Sequence, residues 1–359
     1  MCSLIGFAAG GSPVLGVNYD FYFGHGLLAT GRRGVDKYAM SDDRDRLTWR
    51  TAHGSVTLNQ FGCELPTAGM NDAGLVVHLL ECEGAEYPPP VPGRPQLIEL
   101  QWIQYVLDTC ADIDAALATL ERVSLSRGFF GLHFALADPR GIAFVGPEPG
   151  GWRVQRAAPG PVALSNTPLP VALADARGER VRGSLESLRR YRTLRARAAR
   201  YRDDQDGVDF AFSALDRVAK RPGALVRIVS ALLGHPRGAS VWQTVFLPAE
   251  RRLVLSTLGD RRRKSLALDA LDLSAQATSL LWDLEAQAEG DLRPHLRPYS
   301  GARNAALIRR VYRYFRQHVP AEDQVRIAAF PDPFHASPPP GSNTPQHDGS
   351  ARAVLRRAS

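Results

Sequence analysis

Short apolar segments come in neighbouring pairs along this chain, each pair separated by residues suited to tight turns. That pattern limits the fold more than any other feature. Residues 3–7 and 14–19 flank Ala8-Ala9-Gly10-Gly11-Ser12-Pro13. Residues 54–60 and 75–80 flank Gly69-Met70-Asn71-Asp72-Ala73-Gly74. Residues 131–137 and 142–145 flank Asp138-Pro139-Arg140-Gly141, and 241–247 and 252–257 flank Pro248-Ala249-Glu250-Arg251. Residues 151–156 and 161–165 read as one more pair. Such runs predict antiparallel hairpins. Helical spacing predicts helices over 96–122, with Asp112 as a cap between two of them, and over 184–201, 207–219, 224–233, 273–288 and 301–318. Hairpins interleaved with helices favour an antiparallel α+β layered fold over a parallel sheet. No glycine-rich phosphate-binding motif follows a predicted strand, which argues against nucleotide binding.

Composition enters where it excludes function classes. With 359 residues, 44% of them hydrophobic, the chain can bury a core without staples. A disulfide miniprotein, a collagen-like chain and a fully disordered chain are therefore excluded. The net charge is +7, but only Lys37, Lys220 and Lys264 are lysines among 44 basic residues. So strong an arginine bias reads as compositional drift, and no dedicated nucleic-acid groove is expected. Cys2, Cys63, Cys82 and Cys110 form no CxxC pair, and no His or Cys lies at zinc-finger spacing. His25, His53 and His78 do not form a ligand spacing, and His78 with Cys82 lacks further ligands. Arg261-Arg262-Arg263-Lys264 reads as a solvated loop. The N-terminus lacks a charged and apolar leader, and no apolar run approaches the ~20 residues of a membrane span. The location expected is cytoplasmic. Residues 331–359, rich in Pro, Gly and Ser, read as a disordered tail.

Cys2 stands apart from the other cysteines by position. Removal of Met1, favoured by a small second residue, leaves a residue that carries both a thiol and a free α-amine. An α-amine titrates near ~7.7–8.0, so it can take the thiol proton at neutral pH. The thiolate attacks a carbonyl and the ammonium returns a proton to the leaving amine. If the first hairpin turns at Gly10-Gly11 or Gly11-Ser12, paired residues sum to 21 or 23. Cys2 then lies opposite Tyr19 to Phe21, and so near Asp20. Asp20 can hold an α-ammonium, or it can simply end a strand. Asn166, in Ser165-Asn166-Thr167-Pro168, offers an amide NH₂ to an oxyanion, or it initiates a turn. Arg190 is a site cation or one more residue on the solvated face of an arginine-rich helix.

These residues carry a resemblance. Met1-Cys2, Gly16-Val17-Asn18-Tyr19-Asp20, Gly69-Met70-Asn71-Asp72-Ala73-Gly74-Leu75, Ser165-Asn166-Thr167-Pro168 and Ser187-x-x-Arg190-Tyr191 occur in this order. Over residues 2–260 the chain resembles the choloylglycine hydrolase family of linear amide C–N hydrolases, which includes penicillin V acylases and conjugated bile acid hydrolases. The resemblance implies an N-terminal-nucleophile hydrolase fold, a four-layer αββα sandwich of antiparallel sheets. It implies that Cys2 is the nucleophile, its α-amine the base and Asp20 the partner of that amine. Asn166 would contribute to the oxyanion hole and Arg190 would support the site electrostatically; Asn71 would be structural. Two positions depart from the family pattern. Val17 stands where that pattern has Arg, and Glu81 where the bile-acid branch has an oxyanion Asn. An ionised carboxylate cannot donate.

The organisation expected is a hydrolase domain at 2–265, a C-terminal helical extension at 266–330 and the tail. The activity expected is hydrolysis of a linear, non-peptide C–N amide bond of an N-acyl compound through a thioester acyl-enzyme. Acyl transfer to another amine differs only in the acceptor. A non-catalytic binding protein of the same fold is the alternative from a different class. The resemblance implies no metal or organic cofactor and a small-molecule N-acyl amide as partner. Homo-oligomerisation is left open.

Overall fold

In the computed structural model the paired segments assemble into two stacked sheets. The structure describes residues 2–41, 46–157, 160–223, 225–226, 238–315 and 319–336. The first hairpin joins β1 (Cys2–Ala9) to β2 (Ser12–Phe21). Its turn is Gly10-Gly11, with φ of +55° and +80°. Two successive left-handed residues match the twist of the flanking strands, and only glycine adopts them freely. Cys2 therefore pairs with Tyr19, so partners sum to 21.

Side-chain alternation then splits this hairpin between two cores. Cys2 and Leu4, with Leu15, Val17 and Tyr19, join the larger core. Ile5, Phe7 and Val14 join Tyr191, Leu194, Phe210 and Ala211 of the helices Leu185–Ala198 and Gly207–Asp216. Both helices start at side-chain caps, Ser184 and Asp206 accepting from Ser187 and Asp209 N–H groups.

The first sheet has seven strands in the order Val162–Leu164, β1, β2, Ala239–Leu247, Arg252–Thr257, Lys264–Ala267 and Gly290–Asp291. Only the last pairing is parallel. The second sheet has nine strands, all antiparallel: Gly151–Arg156, Gly141–Glu148, Leu132–Asp138, Val76–Glu81, Pro66–Asn71, Ser55–Asn59, Leu27–Gly31, Leu280–Asp283 and Arg297–Pro298. His78 of this sheet comes within ring contact of Tyr19 and Phe246 of the first. The helix Glu99–Thr109 covers the outer face of the second sheet. The layers run helix, sheet, sheet, helix, as expected.

Five local expectations need correction, the last of them at Lys264. Segments 54–60 and 75–80 do not pair directly, because the strand Pro66–Asn71 lies between them. It reads poorly as a strand because it contains Pro66 and Gly69. A Cβ on Gly69 would sit 2.6 Å from Leu107 Cδ1 and 2.8 Å from the Val56 carbonyl oxygen, so the bare glycine lets both the helix and the neighbouring strand approach. Residues 161–165 do not form a hairpin with 151–156. Val162–Leu164 pairs with β1 instead, in the other sheet; alternation identifies a strand but not its partner.

Residues 273–288, expected as a helix, are not one. Leu280–Asp283 pairs with the wholly buried strand Leu27–Gly31, whose backbone donors need a partner. Thus the segment 266–330 adds strands as well as helices. Residues 332–335 form a short helix whose Phe334 and His335 are buried, so the tail begins later than expected. Residues 337–359 and most of 224–233 lie outside the described residues.

Asp112 does cap a helix, accepting from the Ala115 N–H at 2.9 Å. Asn71 serves the turn and the neighbouring helix. Its Oδ1 accepts from Ala73 and Leu75, and its Nδ2 donates to the carbonyls of Leu107 and Cys110.

The lysines are placed with care. Lys37 and Lys264 are buried. Lys37 Nζ contacts Glu64 at 2.8 Å and Asp108 at 3.1 Å, and Lys264 Nζ contacts Asp260 at 3.0 Å. Lys264 is therefore not part of a solvated run.

Burial pushes the imidazoles of His78 and His133 down to about 4. The unfolded chain titrates near ~6.5. It therefore binds more protons than the folded chain between those values, and stability falls as pH falls through that window. The expected loss is about 2 kcal/mol for each histidine between pH 7 and pH 5. Urea unfolding at the two pH values should show it, with a shallower slope in His78→Gln; equal slopes would contradict the assignment.

Candidate active site

The register of β1 decides what surrounds its first residue. On one side Cys2 faces Tyr19. On the other side Leu4 pairs with Leu164, and continuing two residues sets Asn166 beside Cys2. The Cys2 nitrogen donates to Asn166 Oδ1 at 3.0 Å. Here it is a peptide nitrogen, standing where an α-amine stands once the preceding residue is removed.

Arg190 closes the arrangement from the helix Leu185–Ala198. It is wholly buried, and its guanidinium donates to Asn166 Oδ1 at 2.8 Å and to the Cys2 carbonyl. Asn166 Nδ2 donates to the Glu81 carbonyl at 2.8 Å. Reversing the Asn166 amide would break all three bonds, so its orientation is determined.

Asp20 follows Tyr19 on β2, opposite a register shift between Ser240 and Trp242. Such bulges re-aim side chains. Ser240 Oγ donates to Asp20 Oδ1 at 2.5 Å, and Arg190 Nη1 lies 3.9 Å from Asp20 Oδ2. Burial pushes the Asp20 carboxyl up, against the pull of the Ser240 hydrogen bond. Burial also pushes the Cys2 thiol up. The thiol is therefore held protonated near neutral pH and needs a base to become a nucleophile.

Cys2 opens on a cavity of about 300 Å³. Its polar end carries Cys2, Asp20, Glu81 and Lys220. Its apolar wall is built of Phe21, Phe61, Phe130 and Leu79. The Phe61 and Phe130 rings are 5.4 Å apart and tilted to each other, and each is edge-on to Phe21. Phe130 is held by Glu99, whose carboxylate accepts from the N–H groups of Gly128, Phe129 and Phe130. All four predicted site residues thus converge, but unequally. Cys2 and Asp20 line the cavity, while Asn166 and Arg190 bond the Cys2 backbone.

No family model matches the chain. Penicillin V acylase of Pectobacterium atrosepticum is 32% identical over 110 residues, which is 26% of this chain and 29% of that protein. The matched stretch thus spans less than a third of the curated relative. Penicillin V acylase from Agrobacterium tumefaciens superposes with a TM-score of 0.65 at 20% identity, covering 84% of this chain and 98% of that one. The C2A mutant of conjugated bile acid hydrolase from Clostridium perfringens superposes with a TM-score of 0.64 at 14% identity, covering 81% and 98%. This chain resembles the choloylglycine hydrolases in sequence and in fold. Its fold is that of the N-terminal-nucleophile hydrolases.

The two departures from the choloylglycine hydrolase pattern have a structural reading. Val17 is wholly buried in the larger core, so it supplies apolar packing where the pattern has a cation. At Glu81 the backbone matters more than the side chain. The Cys82 N–H bonds the Gly131 carbonyl, which makes Glu81 and Leu132 the alternating non-bonded pair of the ladder. The Glu81 N–H and C=O therefore face the other side of the strand, where the C=O receives the Asn166 amide.

Sequence reading missed Ser240 and Glu186. Ser240 lies 220 residues from Asp20 and carries no local signal. Glu186 contacts the Arg190 Nε at 2.9 Å, and its i,i+4 spacing was visible. Among the described residues no group of His, Cys, Asp and Glu could hold a metal, and no helix is long and apolar enough to cross a membrane.

Proposed function

We propose that this protein is a cysteine N-terminal-nucleophile amidase that hydrolyses a linear C–N amide of an N-acyl compound. One observation carries the reading. Cys2 starts a central strand and opens on an aromatic-walled cavity, while its nitrogen is held by Asn166, itself oriented by Arg190. The names of the relatives, penicillin V acylase and conjugated bile acid hydrolase, point to the same bond type.

Processing that leaves Cys2 first frees its amine. The amine takes the thiol proton, and sulfur attacks the amide carbon to form a tetrahedral oxyanion. The second Asn166 Nδ2 hydrogen, the first being given to the Glu81 carbonyl, is a donor suited to that oxyanion. Collapse passes the ammonium proton to the leaving nitrogen, breaks the C–N bond and leaves a thioester on Cys2. Water then attacks the thioester, the amine takes its proton, and the acid departs as the thiol re-forms. Asp20, fixed by Ser240, faces the ammonium formed in each half-reaction. The cavity is near the lower end of ligand-pocket volumes and suits a single aryl or short acyl group.

Acid-quenched incubation with a phenylacetyl amide tests the reading by intact mass and peptide mapping. The expected result is a chain that begins at Cys2 and bears the acyl group on that residue. Turnover with Met1 retained, or with the acyl group on another residue, would overturn it. Added hydroxylamine should divert the acyl group to a hydroxamate, since it competes with water for the same thioester.

A further inference from the structure

The loop that brings Phe61 to the cavity is not held by its own sheet. Its backbone is unusual: Gly62 takes φ +112°, which glycine permits, and Glu64, a non-glycine residue, is strained at φ +68°. Such conformations persist only where the surroundings impose them. Here much of the surroundings comes from residues 299–315 and 319–336, with Lys37 also bonded to Glu64. Tyr312 Oη donates to the Phe61 carbonyl at 3.1 Å. The Cys63 N–H donates to Asn304 Oδ1 at 2.9 Å, and Asn304 Nδ2 donates to the Ala328 carbonyl. His335 Nε2 lies 3.0 Å from Glu64 Oε1, with its ring stacked on Tyr299. A Cβ on Gly62 would lie 3.1 Å from Ile308 and 3.5 Å from Ile327, so the helices Gly301–Tyr312 and Ala321–Ala329 press on the bare glycine. The same segment sets Phe315 among Phe21, Phe61 and Phe130, at ring distances of 6.4, 6.1 and 6.3 Å.

We infer that the C-terminal segment is the specificity element of this protein: it clamps the Phe61–Glu64 loop and so sets the depth of the acyl cavity, without touching the reacting atoms. The inference rests on the amidase reading for its substrate and on contacts alone for the clamp. Tyr312 and Asn304 are positioning residues. With the clamp loosened, Phe61 leaves its place between Phe21 and Phe130. A large aryl acyl group then loses its wall, while an acetyl group, which does not reach it, is unaffected.

The test uses the full chain carrying Tyr312→Phe or Asn304→Ala, with folding checked by circular dichroism. Two readouts are taken. The first is kcat/KM for a phenylacetyl amide and for the matching acetyl amide. The second is the labelling rate of Cys63, which is fully buried in the clamped loop, by a maleimide. The expected result is a loss of about tenfold on the phenylacetyl amide, mainly in KM, as for removal of a buried hydrogen bond. Turnover of the acetyl amide stays within about twofold, and Cys63 labelling rises at least about tenfold. Equal loss on both substrates would assign a merely structural role and overturn the inference. Faster labelling with no change on either substrate would also overturn it, because the loop would be held without shaping the cavity. Unchanged labelling in both variants would overturn the clamp itself. If the wild-type chain turns over neither amide, the amidase reading fails, and the labelling rates still decide the clamp.

Discussion

Replacing Cys2 by alanine is expected to reduce amide hydrolysis at least ~10⁴-fold and to leave the fold unchanged. The magnitude follows from what is removed. The thiol supplies the only covalent route in the proposed mechanism, and the Asn166 donor, which remains, can polarise a bound amide but cannot cleave it. Stability changes little, because alanine deletes one sulfur from β1 and keeps the Cys2 carbonyl for Arg190 and the backbone nitrogen for Asn166. Serine at the same place is the sharper control. It preserves the hydrogen bonds and volume but puts a poorer nucleophile beside the same amine. Initial rates of phenylacetyl amide hydrolysis, with thermal unfolding in parallel, measure both effects. Turnover by the alanine variant above about one part in a hundred would assign the chemistry to another residue. Intact mass on the same samples shows whether Cys2 is first.

The second large effect concerns stability. Lys37→Met is expected to destabilise the protein by about 3–5 kcal/mol. Lys37, Glu64 and Asp108 are each at most 4% exposed. Burial by itself would hold both carboxyls up and the ammonium down. In Glu64 the pull of Lys37 and His335 wins, and the carboxyl lies at about 2. Asp108 also accepts from Trp49 and Gln104. Methionine matches the lysine stem but leaves two carboxylates without their cation in a low-dielectric interior. Urea denaturation at pH 7 measures the loss. Adding Glu64→Gln to Lys37→Met should recover part of it, since one unpaired charge is then gone. A single variant within about 1 kcal/mol of wild type would show that Lys37 is not needed for its neighbours.

The hairpin at residues 2–21 shows how much could be read in advance. Two glycines at the turn, with alternating apolar residues on either side, restrict the register to two choices, and one of them places Cys2 opposite Tyr19. Phe21, Phe61 and Phe130, which wall the pocket, lie in or beside loops whose conformations no local pattern gives. Residues 273–288 show the opposite. Leu273, Ala277, Leu281, Leu284 and Ala288 recur at helical spacing and are all buried, yet the segment is extended in part because a buried strand beside it lacks a partner. Local periodicity records that a side chain is apolar, not which neighbour will satisfy its backbone.

Alone, the sequence determined three of the five expected hairpins with their turns, the cap at Asp112 and the singular position of Cys2. These are short-range matters, set by the conformations that glycine permits and by side chains that reach backbone groups a few residues away. Only the tertiary structure decided that Val162–Leu164 joins β1, which carries Asn166 to the Cys2 nitrogen across 164 residues. It also decided that Ser240 reaches Asp20, and that residues 299–336 return to clamp the loop of Phe61. Such contacts join groups far apart in the chain, and no local pattern encodes them, because their energy exists only once both sheets have stacked and water has been removed from between them.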